Sequence, residues 1–548
     1  MKAKANEEKT ETTKRVLVTD YISEEGIKKL REFAEVDIEL ELSKADLKER
    51  IAGYDALIVR SGTKVTKEII EAGVRLKVIG RAGVGVDNID VETATEKGIM
   101  VVNSPEANTI SAAEHAIAML LCLSRKIPAA NASLKSGKWE RKKHTGVEVN
   151  GKVFGIIGLG RVGSEVAERA AGLGMRVVAY DPFISQERAR ELGIALLRFT
   201  EVLSTADFIS LHTPLTKDTH HLIGKKEFEL MKDDVRVINC ARGGILDEDA
   251  LGDAIKSGKV AGAALDVFEH EPPGESELVQ MEEVIVTPHL GASTEEAQRV
   301  AAVAIADEVM AALKNKPVRN AVNMIYVAEE LMDAINPYLV LAEKLGRLSA
   351  QRIPKSSRLE QFDVSYEGEI GMARAGAGKD TRLITVAMLK SFLSWFIDGV
   401  NYVNAGTIAK KSGIKVTESK TGDVENFSSL ISITTTTRIE EAGKKRTVAG
   451  TLFGKDDPRI VNIDGFRVDA SPSGYMLICS FLDKPRVIGP VCMILGDRGI
   501  NIAGMQVGRE KTGGEAVMVL NVDSSVSEAI IKEIKEVKNI FDVKLVKL

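Results

Sequence analysis

A chain of 548 residues is too long for one hydrophobic core and implies several domains. Its 44% hydrophobic and 28% charged content is that of ordinary globular protein, and no apolar run is long enough to span a bilayer. The net charge of −5 gives no reason to expect nucleic acid or an acidic membrane as a partner. Cys122, Cys240, Cys479 and Cys492 have neither CxxC pairing nor metal-ligand spacing. They read as buried thiols in a reducing compartment, and no metal is expected. Residues 1–13 are polar and charged, without the apolar core of an export signal. They read as a disordered tail, and the cytoplasm is the expected location.

Apolar runs at 15–20, 36–40, 56–61 and 76–80 alternate with amphipathic stretches such as 24–33 and 66–72. This is βα alternation, which predicts a parallel sheet flanked by helices. In such sheets ligands bind beyond the carboxyl ends of the strands. One strand ends in Arg60-Ser61, and the next in Arg81-Ala82-Gly83-Val84-Gly85-Val86-Asp87-Asn88. A third, 99–103, leads through Pro105 to Asn108. An Arg-Ser pair beside a second arginine and a glycine-rich turn suits an anionic ligand better than isolated solvated charges do. Asn108 opens a helix whose span 110–123 is too apolar for an exposed face, so it is expected between domains or subunits. Ser111 and Glu114 have capping-box spacing, and His115 reads as a packed residue rather than a catalyst. Gly137-Lys138-Trp139-Glu140-Arg141-Lys142-Lys143 reads first as a solvated charged face; contact with an anionic group is the alternative.

Residues 151–181 carry the strongest signal. A strand at 152–157 breaks into Gly158-Leu159-Gly160-Arg161-Val162-Gly163, a helix follows, and a second strand at 176–180 stops at Asp181. The first glycine permits a tight turn, the second admits a pyrophosphate, the third lets helix pack on strand, and the helix N-terminus offers free N–H groups. Asp181 stands where a carboxylate would meet an adenosine ribose. Further strands at 207–211, 235–240, 260–266 and 284–286 end in Thr213-Pro214, Ala241-Arg242-Gly243-Gly244, Asp266 and Pro288-His289. A doubly wound, Rossmann-like sheet is expected. A helix at 294–314, with Ser293 as cap and Glu296 after it, is expected to return to the first domain.

Beyond residue 330, alternation at 361–370, a helix at 381–396 and strands at 430–437, 446–453, 459–463 and 466–470 predict an α+β unit. Asp464-Gly465 reads as a tight hairpin turn. With no histidine after His289, this unit is expected to hold no chemistry of its own. The last segment runs strand 476–481, helix 487–495, strands 500–508 and 515–522, helix 525–535 and strand 541–548. That is the βαββαβ order of a ferredoxin-like fold.

Oxidation of an alcohol by a nicotinamide needs a base near neutrality, a carboxylate to fix that base's tautomer, and a cation for a substrate carboxylate. His289, Glu271 and Arg242 sit at or after successive strand ends of the nucleotide unit and fill these roles. Their bland alternative is one packed histidine and two surface charges.

The runs 81–88, 158–163 and 239–244 are joined by Ala264-Leu265-Asp266-Val267-Phe268 with Glu271-Pro272-Pro273, and by Pro288-His289-Leu290-Gly291-Ala292-Ser293-Thr294. Together they resemble the D-isomer-specific 2-hydroxyacid dehydrogenases, in the long form of that family, over residues 15–548. The resemblance implies an α/β chain of two Rossmann-like doubly wound domains, an intervening allosteric α+β domain and an ACT domain. Its boundaries would be 14–107 with 302–328 for substrate, 108–301 for NAD, then 329–472 and 473–548.

The same resemblance implies His289 as acid/base, Glu271 as its partner and Arg242 as carboxylate clamp. Arg60, Ser61, Asn108 and Arg141, the last from a neighbouring subunit, would contact substrate. Val84, Gly158, Gly160, Arg161, Val162, Gly163, Asp181, Thr213, Cys240, Ala241, Asp266, Gly291 and Ala292 would line the cofactor site with Arg242 and His289. Pro182, not a basic residue, follows Asp181, which favours NAD over NADP. The implied reaction is oxidation of 3-phosphoglycerate to 3-phosphohydroxypyruvate, opening phosphorylated serine biosynthesis, in a homotetramer. The alternatives are a glyoxylate or hydroxypyruvate reductase, and a non-enzymatic NAD(H) sensor. L-serine would be the effector, at Asp483 and Asn501, but the family's Asp-Arg-Pro-Gly turn is here Asp483-Lys484-Pro485-Arg486.

Overall fold

The computed structural model describes residues 13–327, 329–372, 381–439 and 442–548. The tail expected over 1–13 therefore lies, apart from residue 13, outside the described residues. Four sheets organise the chain.

The first sheet is parallel and five-stranded, in the order Ala34–Ile38, Lys14–Val18, Ala56–Val59, Val78–Arg81, Met100–Asn103. Its central strands are apolar on both faces because helices cover both. One covering element comes from far along the chain. The helix Glu295–Leu313 buries Ala302, Ile305, Ala306 and Val309 against Val16, Ile58 and Val78. Lys29 pairs with Asp307 at 2.7 Å across that contact. The helix starts one residue later than the sequence predicts. Ser293 N–H closes a turn onto Leu290 O, so Thr294 is the extended cap and its hydroxyl accepts Ala297 N–H at 3.2 Å.

The second sheet has seven parallel strands, in the order Val284–Val286, Val260–Leu265, Val235–Asn239, Phe208–Leu211, Val153–Ile157, Arg176–Tyr180, Ala195–Leu196. Strand order reverses beside Val153–Ile157, which opens a crevice at its carboxyl end. The helix Thr109–Arg125 buries Ala113, Ala116, Met119, Leu120 and Leu123 against this sheet and against the helix Arg161–Gly172. Asn108 is its cap residue without a side-chain cap bond, and the Ser111 hydroxyl meets the Thr294 hydroxyl at 2.7 Å instead of closing a capping box.

The third sheet has six strands, five of them in an antiparallel run from Arg358–Gly368 through Ser429–Ile439, Ala442–Phe453 and Asp457–Ile463 to Phe466–Ala470. Asp464 and Gly465 both have positive φ, as a two-residue hairpin turn requires. An edge strand, Lys415–Thr421, pairs in parallel with Arg358–Gly368 and was invisible to apolar patterning because most of its side chains are polar and exposed.

The fourth sheet orders its strands Ile502–Arg509, Glu515–Val522, Tyr475–Leu482, Ile540–Lys547, as a ferredoxin-like βαββαβ chain must. Side chains alternate between its faces. Leu477, Cys479, Met518 and Leu520 face its own helices, whereas Met476, Ile478, Val517, Val519 and Val546 join the core of the preceding unit. The two C-terminal units therefore share one continuous core.

Candidate active site

Strand Val153–Ile157 ends at Gly158, whose φ of +95° suits glycine, and a Cβ there would stand 2.7 Å from His212 O. Around Gly160, by contrast, nothing lies within 4 Å of a Cβ position, and as N-cap of Arg161–Gly172 it supplies no capping side chain. The helix N-terminus thus opens onto free space. Asp181 accepts Leu159 N–H and Phe183 N–H, each at 2.8 Å, so its carboxylate fixes the loop and keeps a lone pair on each oxygen. Arg161 pairs with Glu106 at 3.4 Å. The buried Thr213 hydroxyl has no partner, another unmet group on this wall. An open anion-binding helix end, an orphaned hydroxyl and a fixed acid fit a dinucleotide.

His212, beneath Gly158, meets the Ser210 hydroxyl at 2.8 Å, and burial pushes its imidazole down to about 4. The unfolded chain takes up this proton below its ordinary value near 6.5, whereas the folded chain does so only near 4. Stability is therefore whole above pH 6.5 and falls as pH drops from there through 4, by about 3 kcal/mol from this residue. Urea midpoints at pH 7.5 and pH 5.0 should show about 2 kcal/mol of that loss, and His212→Asn should reduce it.

The Rossmann strand ends carry the candidate catalytic groups. His289 has φ +55°, and its N–H donates to Asp266 O at 2.9 Å. Its Nδ1 lies 2.8 and 3.1 Å from the two Glu271 oxygens. Burial pushes the Glu271 carboxyl up, but the His289 hydrogen bond and charge, with Phe268 N–H, bring it below the usual carboxylate range. An ionised Glu271 makes Nδ1 the protonated nitrogen and leaves Nε2 for a substrate proton. The fully buried Asp266 braces this loop: Oδ1 accepts from the Thr287 hydroxyl at 2.5 Å and Leu290 N–H at 2.7 Å, and Oδ2 from Gly291 N–H at 2.8 Å. His115 completes the brace, with Nε2 3.1 Å from the Thr287 hydroxyl and 3.2 Å from Asp266.

Arg242 follows strand Val235–Asn239, where Asn239 ties the turn through Ala241 N–H and Arg242 O. Its Nε donates to Asp87 at 3.1 Å and one terminal nitrogen to Ala241 O at 2.7 Å. Next to it, Cys240 is half-buried, and its thiol is pushed up by loss of solvent and by Asp266. Cys122 and Cys492 are likewise half-buried rather than buried as expected; Cys479 alone is fully so, and all four are free thiols.

The first sheet turns its own strand ends toward Arg242. Arg60 N–H donates to Asp20 at 2.5 Å, and the Asn88 amide holds Arg60 O and Thr63 O at 2.6 and 2.7 Å. Asn103 likewise holds Val84 O at 2.6 Å. Between them stands Arg81, which its sequence motif alone does not assign to the site. Burial, then the charges of Arg242 and Arg60, lower its guanidinium to about 10 against the pull of Asp87 and Asp20. Its buried Nε has no partner, nor do the buried Ser104 hydroxyl and Asn108 Oδ1. A cation held among cations, with an unmet donor, is a site shaped for an anion. Ser61, next to Arg60 in the chain, is exposed. Arg141 is exposed after the helix Ile127–Lys135 and makes no ion pair with these groups; in that segment Lys143 pairs with Glu282 at 3.4 Å.

At the strand ends of the fourth sheet's unit, Asp483 accepts from Arg509 at 2.7 Å and Asn501 donates to Asp523 at 2.7 Å. Arg486, where the resembled family has glycine, holds φ +70°. Arg486→Gly should raise the stability of this unit by about 0.5–1 kcal/mol in chemical unfolding, because a left-handed non-glycine residue is strained.

Residues 117–291 match the NAD binding domain of the D-isomer specific 2-hydroxyacid dehydrogenases, 334–464 the intervening domain of D-3-phosphoglycerate dehydrogenase, and 475–539 the ACT domain. The D-3-phosphoglycerate dehydrogenase of Methanocaldococcus jannaschii is 46% identical over 536 residues, 97% of this chain and 100% of that one. The chain belongs to the D-3-phosphoglycerate dehydrogenase family. The Bacillus subtilis D-3-phosphoglycerate dehydrogenase is 44% identical over 97% of this chain and 99% of its own. Among solved structures, a glyoxylate reductase from Paecilomyes thermophila covers 57% of this chain and 98% of its own, at TM-score 0.52 and 31% identity. As a D-3-phosphoglycerate dehydrogenase family member, the chain is an NAD-dependent oxidoreductase with an ACT domain. Among the described residues no helix is long and apolar enough to cross a membrane.

Proposed function

We propose that the chain oxidises D-3-phosphoglycerate to 3-phosphohydroxypyruvate, the step that opens phosphorylated serine biosynthesis. The observation that carries this reading is Arg81, half-buried near the charges of Arg60 and Arg242, with a buried Nε that has no partner. A monocarboxylate would need one guanidinium; a substrate with both a carboxylate and a phosphate uses several. Arg242 holds the carboxylate and the C2 oxygen. Arg60 and Arg81, with Ser61 and Asn108, take the rest of the dianion, joined by Arg141 of a neighbouring subunit. His289 Nε2 accepts the C2 hydroxyl proton, and ionised Glu271 stabilises the imidazolium that results. The chemistry that bound NAD supplies is acceptance of the C2 hydride. The open helix end at Gly160 receives its pyrophosphate and Asp181 its ribose.

The boundaries that suit this reading are 14–107 with 302–328 for substrate, 108–301 for NAD, and 329–472 and 473–548 for regulation. L-serine would act at Asp483 and Asn501, displacing Arg509 and Asp523 from them. The exposed apolar side chains of Ile110, Ile127, Leu134 and Trp139 support a homotetramer, and the cytoplasm suits the free thiols. The test is NADH formation from 3-phosphoglycerate and NAD, with glyoxylate and hydroxypyruvate reduction run beside it. Higher kcat/KM for glyoxylate or hydroxypyruvate would favour the reductase reading.

A further inference from the structure

The unit built on the third sheet carries an apolar cleft of about 250 Å³ that takes no part in the reaction. Ile353, Leu359, Phe392 and Leu393 form its floor, and Phe396 and Ile397 its lip. Phe392 is buried edge-on against Phe362 at 5.2 Å and touches Phe396 at 5.5 Å, so aromatic packing holds the floor rigid. The lip residues Phe396 and Ile397 are each 37% exposed, and Trp395, which precedes them in the chain, is 41% exposed, so three consecutive large apolar side chains are left in water. The charged side chains on the wall are Lys355 and Arg358, and no carboxylate lines it. Lys355 lies over the Trp395 ring at 5.1 Å, and among the described residues neither cation has an ion-pair partner. An apolar floor beneath two unpaired cations is complementary to a small carboxylate with an apolar, aromatic body. The volume suits a ligand smaller than a drug-sized molecule.

The cleft adjoins the contact between this unit and the first sheet's unit. Ser412 and Ile414 close it, directly after the helix Ala405–Lys411. Asn401, just before that helix, donates to Gly98 O at 2.7 Å, and Lys411 at its end pairs with Glu96. Gly98 has φ +71°, and a Cβ there would stand 2.8 Å from the Asn404 amide, so the approach is close. Glu96 ends the helix Val91–Glu96, whose cap Asp90 follows Asp87 and Asn88. Those two residues hold Arg242 and Arg60 O.

We infer that this cleft is an effector site for an aryl-alkanoate-like carboxylate, and that filling it moves the helix Ala405–Lys411 against Gly98 and so alters the arginine cluster's affinity for its anion. The coupling rests on the proposed role of Arg60, Arg81 and Arg242; the binding does not. A ligand shifts such an equilibrium only by favouring one arrangement of the contact, so the effect must show in substrate KM.

The chain has two tryptophans. In full-length Trp139→Phe protein, Trp395, whose ring lies under Lys355 of the cleft wall, is therefore the sole indole. Titration with 3-phenylpropionate should give saturable quenching, absent with acetate or inorganic phosphate. Adding Lys355→Met and Arg358→Met should weaken binding at least tenfold, while adding Arg242→Met should leave it unchanged. On the unsubstituted enzyme, 3-phenylpropionate should change KM for 3-phosphoglycerate at least twofold, and the Lys355→Met/Arg358→Met enzyme should not respond. Absent saturation, quenching by phosphate alone, or undiminished binding in the Lys355/Arg358 variant overturns the site. Bound probe with unchanged KM overturns the coupling. If the enzyme does not turn over 3-phosphoglycerate, the fluorescence arm still decides the site.

Discussion

His289→Ala should lower kcat by about 10³-fold, within the range for loss of a positioned general base, while NADH binding is retained. The expectation follows from geometry: Nδ1 is committed to Glu271 at 2.8 Å, which leaves Nε2 as the nitrogen that can receive a proton. Glu271→Gln should give a smaller loss, because the imidazole stays in place but its protonated form loses a neighbouring negative charge. Single-turnover hydride transfer and NADH fluorescence titration separate the two effects. Normal turnover by His289→Ala would remove the histidine from the mechanism.

Arg81→Met should move stability and activity in opposite directions. In the free protein Arg81 is held below its ordinary value by burial and by Arg242, and its Nε is unpaired, so replacing it with an apolar side chain of similar length should raise Tm. With substrate the same cation meets an anion, and its loss should lower kcat/KM for 3-phosphoglycerate by about 30–150-fold, the equivalent of about 2–3 kcal/mol for a charged hydrogen bond. A variant that loses both stability and activity would make Arg81 a structural residue instead.

The parts of this site that depend on local chain geometry were legible in the sequence. A strand, a glycine turn and a helix can be read from 151–181; Arg242, Glu271 and His289, at or after strand ends, stood in sequence between a catalytic set and one packed histidine with two surface charges, and the structure brings His289 and Glu271 within 2.8 Å. What stayed hidden depends on contacts between distant segments. Arg81 and Arg60 look alike in sequence; only the folded chain shows that the Arg81 Nε is buried without a partner near the charges of Arg242 and Arg60. Asp266 read as a cofactor-lining residue, yet its full burial under Thr287, Leu290 and Gly291 makes it a brace for the His289 loop. The polar edge strand Lys415–Thr421 carries no apolar period to detect. The shared core of the third and fourth sheets requires knowing which face of Tyr475–Leu482 points where.

The central claim is that the arginine cluster selects a phosphorylated hydroxy acid. The direct measurement is kcat/KM with NAD for 3-phosphoglycerate against D-glycerate, which differ only by the phosphate. A preference of at least about 100-fold for 3-phosphoglycerate, the equivalent of about 2.7 kcal/mol, is the expected result. Equal values for the two would contradict it.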